Sequence, residues 1–316
     1  MALAKKNKTV IIIVGPTAVG KTSVAIELAQ YFKTEIISAD SRQCFKELNI
    51  GVARPSEKEL KTAKHHFIAS HPIVPIAIGM GSVYNHVNTR TFEEYALQKV
   101  NELFQERDVV IMTGGTGLYI KAFCEGLDEI PEVAEEIRTE IIFSYEKYGL
   151  NWLQKEIQQK DPAFYQSGEI QNPQRLMRAL EITETTGKSI LDFRKGKKKQ
   201  RNFNIVKIGL ELPKEELHQS INGRVDGMIK AGLVEEVRNL LPYKNLNTLQ
   251  TVGYSEIFDY FDGKVSLGEA IDLIKKHTRQ YAKRQMTWFK KDKEIKWFKL
   301  SGSHEIEKYL EGVLLL

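Results

Sequence analysis

Residues 10–22 read VIIIVGPTAVGKT. The first five are apolar and β-branched, the make-up of a short buried strand. Beyond them, Val24, Leu28 and Phe32 recur at helical spacing in a run that opens at Ser23. Between strand and helix, residues 15–22 fit G-x-x-x-x-G-K-[ST]. That order separates a phosphate site from an ordinary strand–turn–helix that happens to hold glycines. The backbone from Gly15 through Pro16, Thr17, Ala18 and Val19 to Gly20 is expected to curl around an anion. Its N–H groups and the positive helix start would face the charge. Lys21 is the natural point charge for the outer oxygens, and Thr22 the natural hydroxyl ligand for Mg²⁺. The motif does not choose the phosphate: ATP is the default, and any diphosphate ester would fit.

The chain outside this stretch is long enough, at 316 residues, for one large domain or two ordinary ones. A hydrophobic share of 42% supports a globular core, and a net charge of +5 leans mildly toward a polyanionic partner. The two cysteines, Cys44 and Cys124, form no CxxC and suit a reduced, cytoplasmic setting. The start, MALAKKNK, lacks the apolar stretch of a signal peptide. No apolar run reaches the ~18 residues of a membrane span, so no membrane partner is expected.

Residues 35–39, EIISA, read as a second strand that ends at Asp40, Ser41, Arg42 and Gln43. Loops at strand C-termini carry the ligands in open α/β sheets, which puts Asp40 on the same edge as the phosphate loop. Ser56 and Glu59 form a capping box. His65 and His66 lack metal spacing and are read as packing or hydrogen-bonding residues, diverging from each other as helix neighbours do. Residues 73–84 read as strand then loop, and Phe92, Ala96, Val100 and Leu103 mark an amphipathic helix. Residues 108–113, DVVIMT, form another buried strand, followed by Gly114, Gly115, Thr116 and Gly117. That strand does not end in the carboxylate a motor-type ATPase uses for Mg²⁺. The corner is either a tight turn for close packing or a place where Thr116 offers a hydroxyl to the cleft.

From about residue 123 the strand pattern gives way to helices over 132–148, 151–160 and 173–186. The block ends in RKGKKKQR at 194–201 and also carries Arg138, Arg175 and Arg178. The basic run is a solvated loop or a grip on a polyanion. Residues 204–212 alternate like a strand, and a helix over 214–231 places Leu217, Ile221, Val225 and Met228 on one face. Arg224 beside that face either snorkels to water or clamps a phosphate. The last long helix opens at Ser266 with Glu269 as its capping box and runs to about 291. Ile271, Ile274, Tyr281 and Trp288 are its expected apolar seam. Lys276, Arg279, Lys283 and Lys290 share another face without matching acids, a repulsion that a phosphate backbone would relieve. The expected fold is therefore α/β, a P-loop NTPase-like parallel sheet core with an inserted all-helical domain. The core takes 1–122 and 202–316, with C-terminal helices, and the insertion 123–201.

Five segments in this order resemble the tRNA dimethylallyltransferase (tRNA isopentenyltransferase) family. They are GPTAVGKT at 15–22, ISADSRQ at 37–43, GGTGLY at 114–119, NPQRLMRALE at 172–181 and TRQYAKRQMTWF at 278–289. The resemblance spans residues 10 to about 297. It implies transfer of a dimethylallyl group from dimethylallyl diphosphate to the N6 amine of the adenine next to the tRNA anticodon on its 3′ side. It further implies Asp40 as general base, with Thr17 and Arg224 holding the diphosphate beside the Lys21 that the loop motif supplies. Asp40, Ser41, Arg42, Gln43, Thr116, Arg138, Asn172, Pro173, Gln174, Arg175 and Leu176 correspond to the family's tRNA contacts. The implied partners are thus the tRNA anticodon stem-loop and dimethylallyl diphosphate, with Mg²⁺ as cofactor and a monomer as the expected assembly. The sequence departs from the family pattern at GVARP, residues 51–55, where GTAKP is usual. It also departs at Arg42 and Phe45, usually Met and Tyr, and at HHFIAS, residues 65–70, which lacks the usual acid. None of these departures falls within the phosphate loop or on Asp40 itself.

The chemistry agrees with the residues. A phosphate loop without a second carboxylate suits an enzyme whose diphosphate is a leaving group. An adenine amine, its lone pair delocalised into the ring, needs a carboxylate to accept its proton. An adenine inside a folded anticodon loop must be flipped out to reach such a site. Three rivals remain at this point: a small-molecule kinase, a prenyltransferase of free adenine nucleotides, and an RNA-binding switch that senses nucleotide.

Overall fold

The structure is a computed structural model that describes residues 8–73, 76–78, 81–83, 87–168, 170–299 and 304–314, with side chains omitted at 76–78 and 81–83. Its strands are β1 (Thr9–Val14), β2 (Ile36–Ser38), β3 (His65–His66), β4 (Ile76–Ile78), β5 (Gly81–Val83), β6 (Val109–Thr113), β7 (Asn204–Glu211) and β8 (Lys296–Lys299). The helices are α1 (Lys21–Tyr31), α2 (Glu57–Thr62), α3 (Thr89–Leu103), α4 (Gly117–Glu125), α5 (Glu135–Lys160), α6 (Pro162–Ser167) and α7 (Pro173–Thr186). They continue with α8 (Ile190–Phe193), α9 (Lys214–Lys230), α10 (Leu233–Arg238), α11 (Tyr254–Phe261), α12 (Leu267–Phe289) and α13 (His304–Leu314). The chain divides into two compact units, residues 1–124 with 201–316, and residues 125–200.

The first unit is built on a six-stranded sheet in the order β3-β2-β6-β1-β7-β8, parallel at every pairing. β1 lies at its middle, with Ile12 opposite both Met112 and Lys207. Successive side chains of a strand face opposite ways. Hence Val10, Ile12 and Val14 enter one core, while Ile11 and Ile13 enter the other. β6 divides likewise, Val110 and Met112 from Val109 and Ile111. A strand buried on both faces must be apolar throughout, which is why VIIIV does not alternate with polar residues. The chain crosses from β1 to β2 on one side and reaches β7 on the other, so the crevice beyond β1 is the switch point where ligands bind in such sheets.

The local signals act as expected at several ends. Ser56 and Glu59 cap α2 reciprocally, and Ser266 and Glu269 do the same for α12. Each such cap contributes about 1 kcal/mol. His65 and His66 are not on a helix but on the edge strand β3. There His66 Nε2 meets Glu35 Oε2 at 2.5 Å, a hydrogen-bonding role. Within 73–84 the backbone makes a small antiparallel pair, β4 with β5. Residues 74, 75, 79, 80 and 84 of that expected strand and loop lie outside the described residues, as do residues 1–7 at the chain start.

The seam of α12 is a correction. Its buried residues are Ala270, Ile274, Ala282, Gln285 and Phe289, whereas Tyr281 and Trp288 are 37% and 41% exposed. Reading 274, 281 and 288 as a heptad put two aromatics into the core. The helix instead drifts by the difference between 3.6 and 3.5 residues per turn, and the stripe moves to 282, 285 and 289. The unmatched basic face is also corrected. Lys290 pairs with Glu211 at 2.7 Å and lies over the Trp297 ring, and Arg279 donates to Asn222 Oδ1 at 2.8 Å. Lys276 and Lys283 remain exposed.

The second unit holds a core of its own, with Ile141, Leu153, Ile157, Phe164, Leu176 and Leu180 among its buried residues. Two helices expected over 132–148 and 151–160 run on as α5, broken at Gly149, whose φ of 74° interrupts the helical path. Arg201 closes the basic run differently from its neighbours and belongs to the first unit. Its guanidinium donates to Phe123 O at 2.7 Å, Ala122 O at 2.9 Å and Glu93 Oε1 at 2.8 Å. It is a structural fastener, not part of a free cationic surface.

Candidate active site

β1 delivers the chain to Gly15, whose φ is +149° and where a Cβ would stand 2.6 Å from the Leu210 carbonyl oxygen on β7. No side chain fits at that point of the turn. The loop continues to Gly20, the N-cap of α1, at φ 97°. No side chain caps α1 and no acid occupies its first turn, so its amides and dipole are left facing the loop. Lys21 folds back, with Nζ donating to Gly15 O at 3.0 Å and Pro16 O at 2.8 Å. Burial pushes its pKa down to about 7, the nearby Arg224 adds to this, and Asp40 opposes it. A lysine so placed loses its proton easily and regains it beside an anion.

Arg224 comes from α9 and resolves its two readings in favour of the cleft. Its Nη1 donates to Thr17 Oγ1 at 3.2 Å, and burial lowers its pKa from the usual guanidinium value. Across the crevice, β2 ends at Ser38, and Asp40 follows two residues on. Asp40 Oδ1 accepts from the backbone N–H of Arg42 at 2.9 Å and of Gln43 at 3.2 Å, so the carboxylate organises its own turn. Gln43 Nε2 then reaches the carbonyls of Val52 and Ala53 at 3.2 and 3.1 Å, fixing the 51–55 turn as a wall. The second glycine corner fits closely behind Asp40. A Cβ on Gly114 would stand 2.1 Å from Ala39 O. Thr116 Oγ1 accepts from Ser41 N–H at 3.0 Å. Its hydroxyl therefore braces the Asp40 turn.

These groups share one cavity of about 310 Å³. Thr17, Ala18, Gly20, Lys21 and Thr22 line it from the phosphate loop, with Asp40, Gln43 and Arg224 around them. Gln285 and Tyr281 of α12 and His65 of β3 also line it and were not legible as site residues. Tyr281 stood in the expected apolar seam, and periodicity does not tell a core aromatic from one at a cavity edge. His65 Nδ1–H donates to Ala63 O at 2.8 Å, which makes Nε2 the acceptor nitrogen. That nitrogen is buried without a partner among the described residues, and burial holds the ring's pKa below the usual imidazole value. Among the described residues, no group of three or more His, Cys, Asp or Glu side chains is placed to hold a metal.

The remaining expected nucleic-acid residues fall in the second unit. Asn172 caps α7, its Oδ1 accepting from Arg175 N–H at 3.3 Å, with Pro173 at the first helical position. Gln174 and Arg175 are exposed. Leu176 is 0% exposed and sits in the unit's core, so its side chain packs rather than contacts a ligand, a correction that follows from its place on the apolar stripe of α7. Arg138 Nε lies 3.7 Å from Glu181 Oε1, and Arg178 Nη1 donates to Glu181 Oε2 at 2.8 Å. Both arginines are partly neutralised by this one buried carboxylate.

Sheet order, loop and cavity define an α/β protein with a P-loop-like core and a carboxylate lining the same cavity as its glycine loop. The family model described as IPP transferase matches residues 43–292, and the chain belongs to that family. A tRNA dimethylallyltransferase of Christiangramia forsetii is 50% identical over 301 residues, covering 95% of this chain and 96% of its own. One from Flavobacterium johnsoniae is 46% identical over 310 residues, covering 96% and 97%. The crystal structure of the full-length tRNA isopentenylpyrophosphate transferase of Bacillus halodurans superposes with a TM-score of 0.69 at 32% identity, covering 98% of this chain and 97% of that one.

Proposed function

We propose that this chain transfers the dimethylallyl group from dimethylallyl diphosphate to the N6 amine of the adenine 3′-adjacent to the anticodon in tRNA. The observation that carries the reading is the placement of Asp40 in the same cavity as Lys21, Arg224 and Thr17. One bond breaks, between the allylic carbon and the diphosphate oxygen, and one forms, between that carbon and N6, while N6 gives up a proton. Negative charge grows on the departing diphosphate, where Lys21, the Arg224 guanidinium and the loop amides receive it. The Arg224–Thr17 hydrogen bond orients the hydroxyl toward the same oxygens. Asp40 accepts the amine proton. Its Oδ1 is held by two amides, and its Oδ2 has no hydrogen bond among the described residues, which leaves that oxygen for the task.

Thr22 lines the cavity with a single hydroxyl, a donor set that suits Mg²⁺ held mainly by diphosphate oxygens and water, where the ion would add positive charge beside the leaving group. The exposed Lys195, Lys197 and Arg175 of the second unit supply cationic contacts for the RNA. The proposal includes a monomeric enzyme in the cytoplasm, where a chain with only two cysteines, Cys44 and Cys124, suits a reducing milieu. No helix among the described residues is long and apolar enough to cross a membrane.

The test is incubation with dimethylallyl diphosphate, Mg²⁺ and unmodified tRNA, followed by digestion and mass analysis of the nucleosides. Prenylated adenosine from the position 3′ to the anticodon is the expected product. ATP consumption without RNA would assign a kinase instead. Prenylation of free adenine nucleotides alone would remove the tRNA from the reading.

A further inference from the structure

Gln285 is a polar residue on the buried stripe of α12, only 6% exposed, between Ala282 and Phe289. A primary amide placed there loses its water and destabilises the fold unless both ends find partners. Both do. Oε1 accepts from the Thr17 backbone N–H at 2.8 Å, and Nε2 donates to the Gly115 carbonyl at 3.0 Å. The amide cannot turn over, because a flip would set N–H against N–H and oxygen against oxygen. Gly115 has no side chain for the same reason: a Cβ there would stand 2.2 Å from Gln285 Nε2.

The two loops joined by this amide belong to opposite halves of the site. Thr17 lies on the phosphate loop, and its hydroxyl is held by Arg224 at 3.2 Å. Gly115 precedes Thr116, whose N–H donates to Ala39 O at 3.2 Å and whose Oγ1 accepts from Ser41 N–H at 3.0 Å. Asp40 stands between Ala39 and Ser41. A continuous line of hydrogen bonds therefore runs from the leaving-group side through Gln285 to both neighbours of Asp40.

We propose that Gln285 is a positioning residue that sets the gap between the diphosphate and Asp40, an inference that rests on the transfer reaction proposed above. It touches neither the reacting carbon nor the amine. It acts by holding Thr17 and the Gly115–Thr116 corner at one separation. A reaction that needs leaving group, carbon, amine and base in line is sensitive to that separation, since a misplacement of about 1 Å costs about 10²-fold in rate.

The experiment uses the full chain and the variants Gln285→Met, which keeps length and volume but removes both hydrogen bonds, Gly115→Ala, which crowds Nε2, and the two combined. Three quantities are measured on each: single-turnover transfer to tRNA, affinity for inorganic diphosphate and for tRNA, and amide hydrogen exchange in residues 15–20 and 114–117. Gln285→Met should slow transfer by about 10²-fold, with both affinities within about 3-fold of wild type. Exchange should rise in both loops together. The double variant should be no slower than the slower single, because both changes break one link. A variant with both loops loosened and transfer within about 3-fold of wild type overturns the proposal. So does a rate loss matched by an equal loss of diphosphate affinity, which would make Gln285 part of the anion site. Exchange confined to one loop also overturns it. If wild type forms no prenylated adenosine, the functional reading fails by itself, and the exchange data still decide whether Gln285 couples the loops.

Discussion

Diphosphate should enter this cavity together with a proton once the pH exceeds 7, and Lys21 should be the group that takes it up. Burial lowers the Lys21 pKa from 10.5 to about 7 in the free protein, with Arg224 adding to the effect. A bound diphosphate restores the favourable partner and returns the pKa toward an ordinary lysine value near about 10.4. At pH 8 the free amine is only about 10% protonated and the bound one fully so, an uptake of about 0.9 proton; at pH 6 the uptake is about 0.1. The sign follows from the bound state holding more protons than the free one. Raising the pH opposes binding, by about tenfold in affinity per unit above 7. Calorimetry with inorganic diphosphate in buffers of different ionisation heat, at pH 6, 7 and 8, counts the protons. Lys21→Arg is the control, because a guanidinium stays charged and takes up none, while the ligand's own titration is common to both proteins. Equal proton counts for wild type and Lys21→Arg at pH 8 would refute the argument.

Asp40→Asn keeps shape but not basicity and should lower single-turnover transfer by about 10²–10⁴-fold with tRNA affinity little changed, as read by rapid-quench and filter-binding measurements. Replacing the exposed Lys195 and Lys197 together by Ala should flatten the log–log salt dependence of tRNA affinity by roughly 1.5, and an unchanged slope would move the RNA elsewhere. Leu176→Ala should destabilise the 125–200 unit by about 2–5 kcal/mol in denaturant unfolding, because it empties a core position rather than a contact surface.

The parts legible in the sequence were those whose signal is local. Fully apolar strands announce a sheet covered on both faces, and the glycine loop between β1 and α1 carries its geometry in its own residues. Asp40 could be located because it lies just past the end of β2. What was hidden depends on distant partners. Gln285 meets Thr17 across 268 positions of sequence, and nothing near residue 285 marks its amide as paired. Tyr281 and Leu176 exchanged expected places, one leaving a core and the other entering it. A stripe drawn from spacing alone is uncertain by one residue at each turn, and that error decides which side chain is buried. Arg201 ends a run of cations, yet only the fold brings Glu93 and two carbonyls to it.

That same Arg201 makes residues 122–123 and the return to β7 into a single gate through which the chain leaves and re-enters the sheet. What is threaded through the gate can change in length at little cost, since each doubling of a closed loop adds only about 0.6 kcal/mol. The catalytic sheet is therefore a socket, and the segment plugged into it between those two points can be exchanged for another whose ends lie equally close. Transplanting that segment from a relative tests whether the choice of RNA travels with it while the bond-making chemistry stays behind.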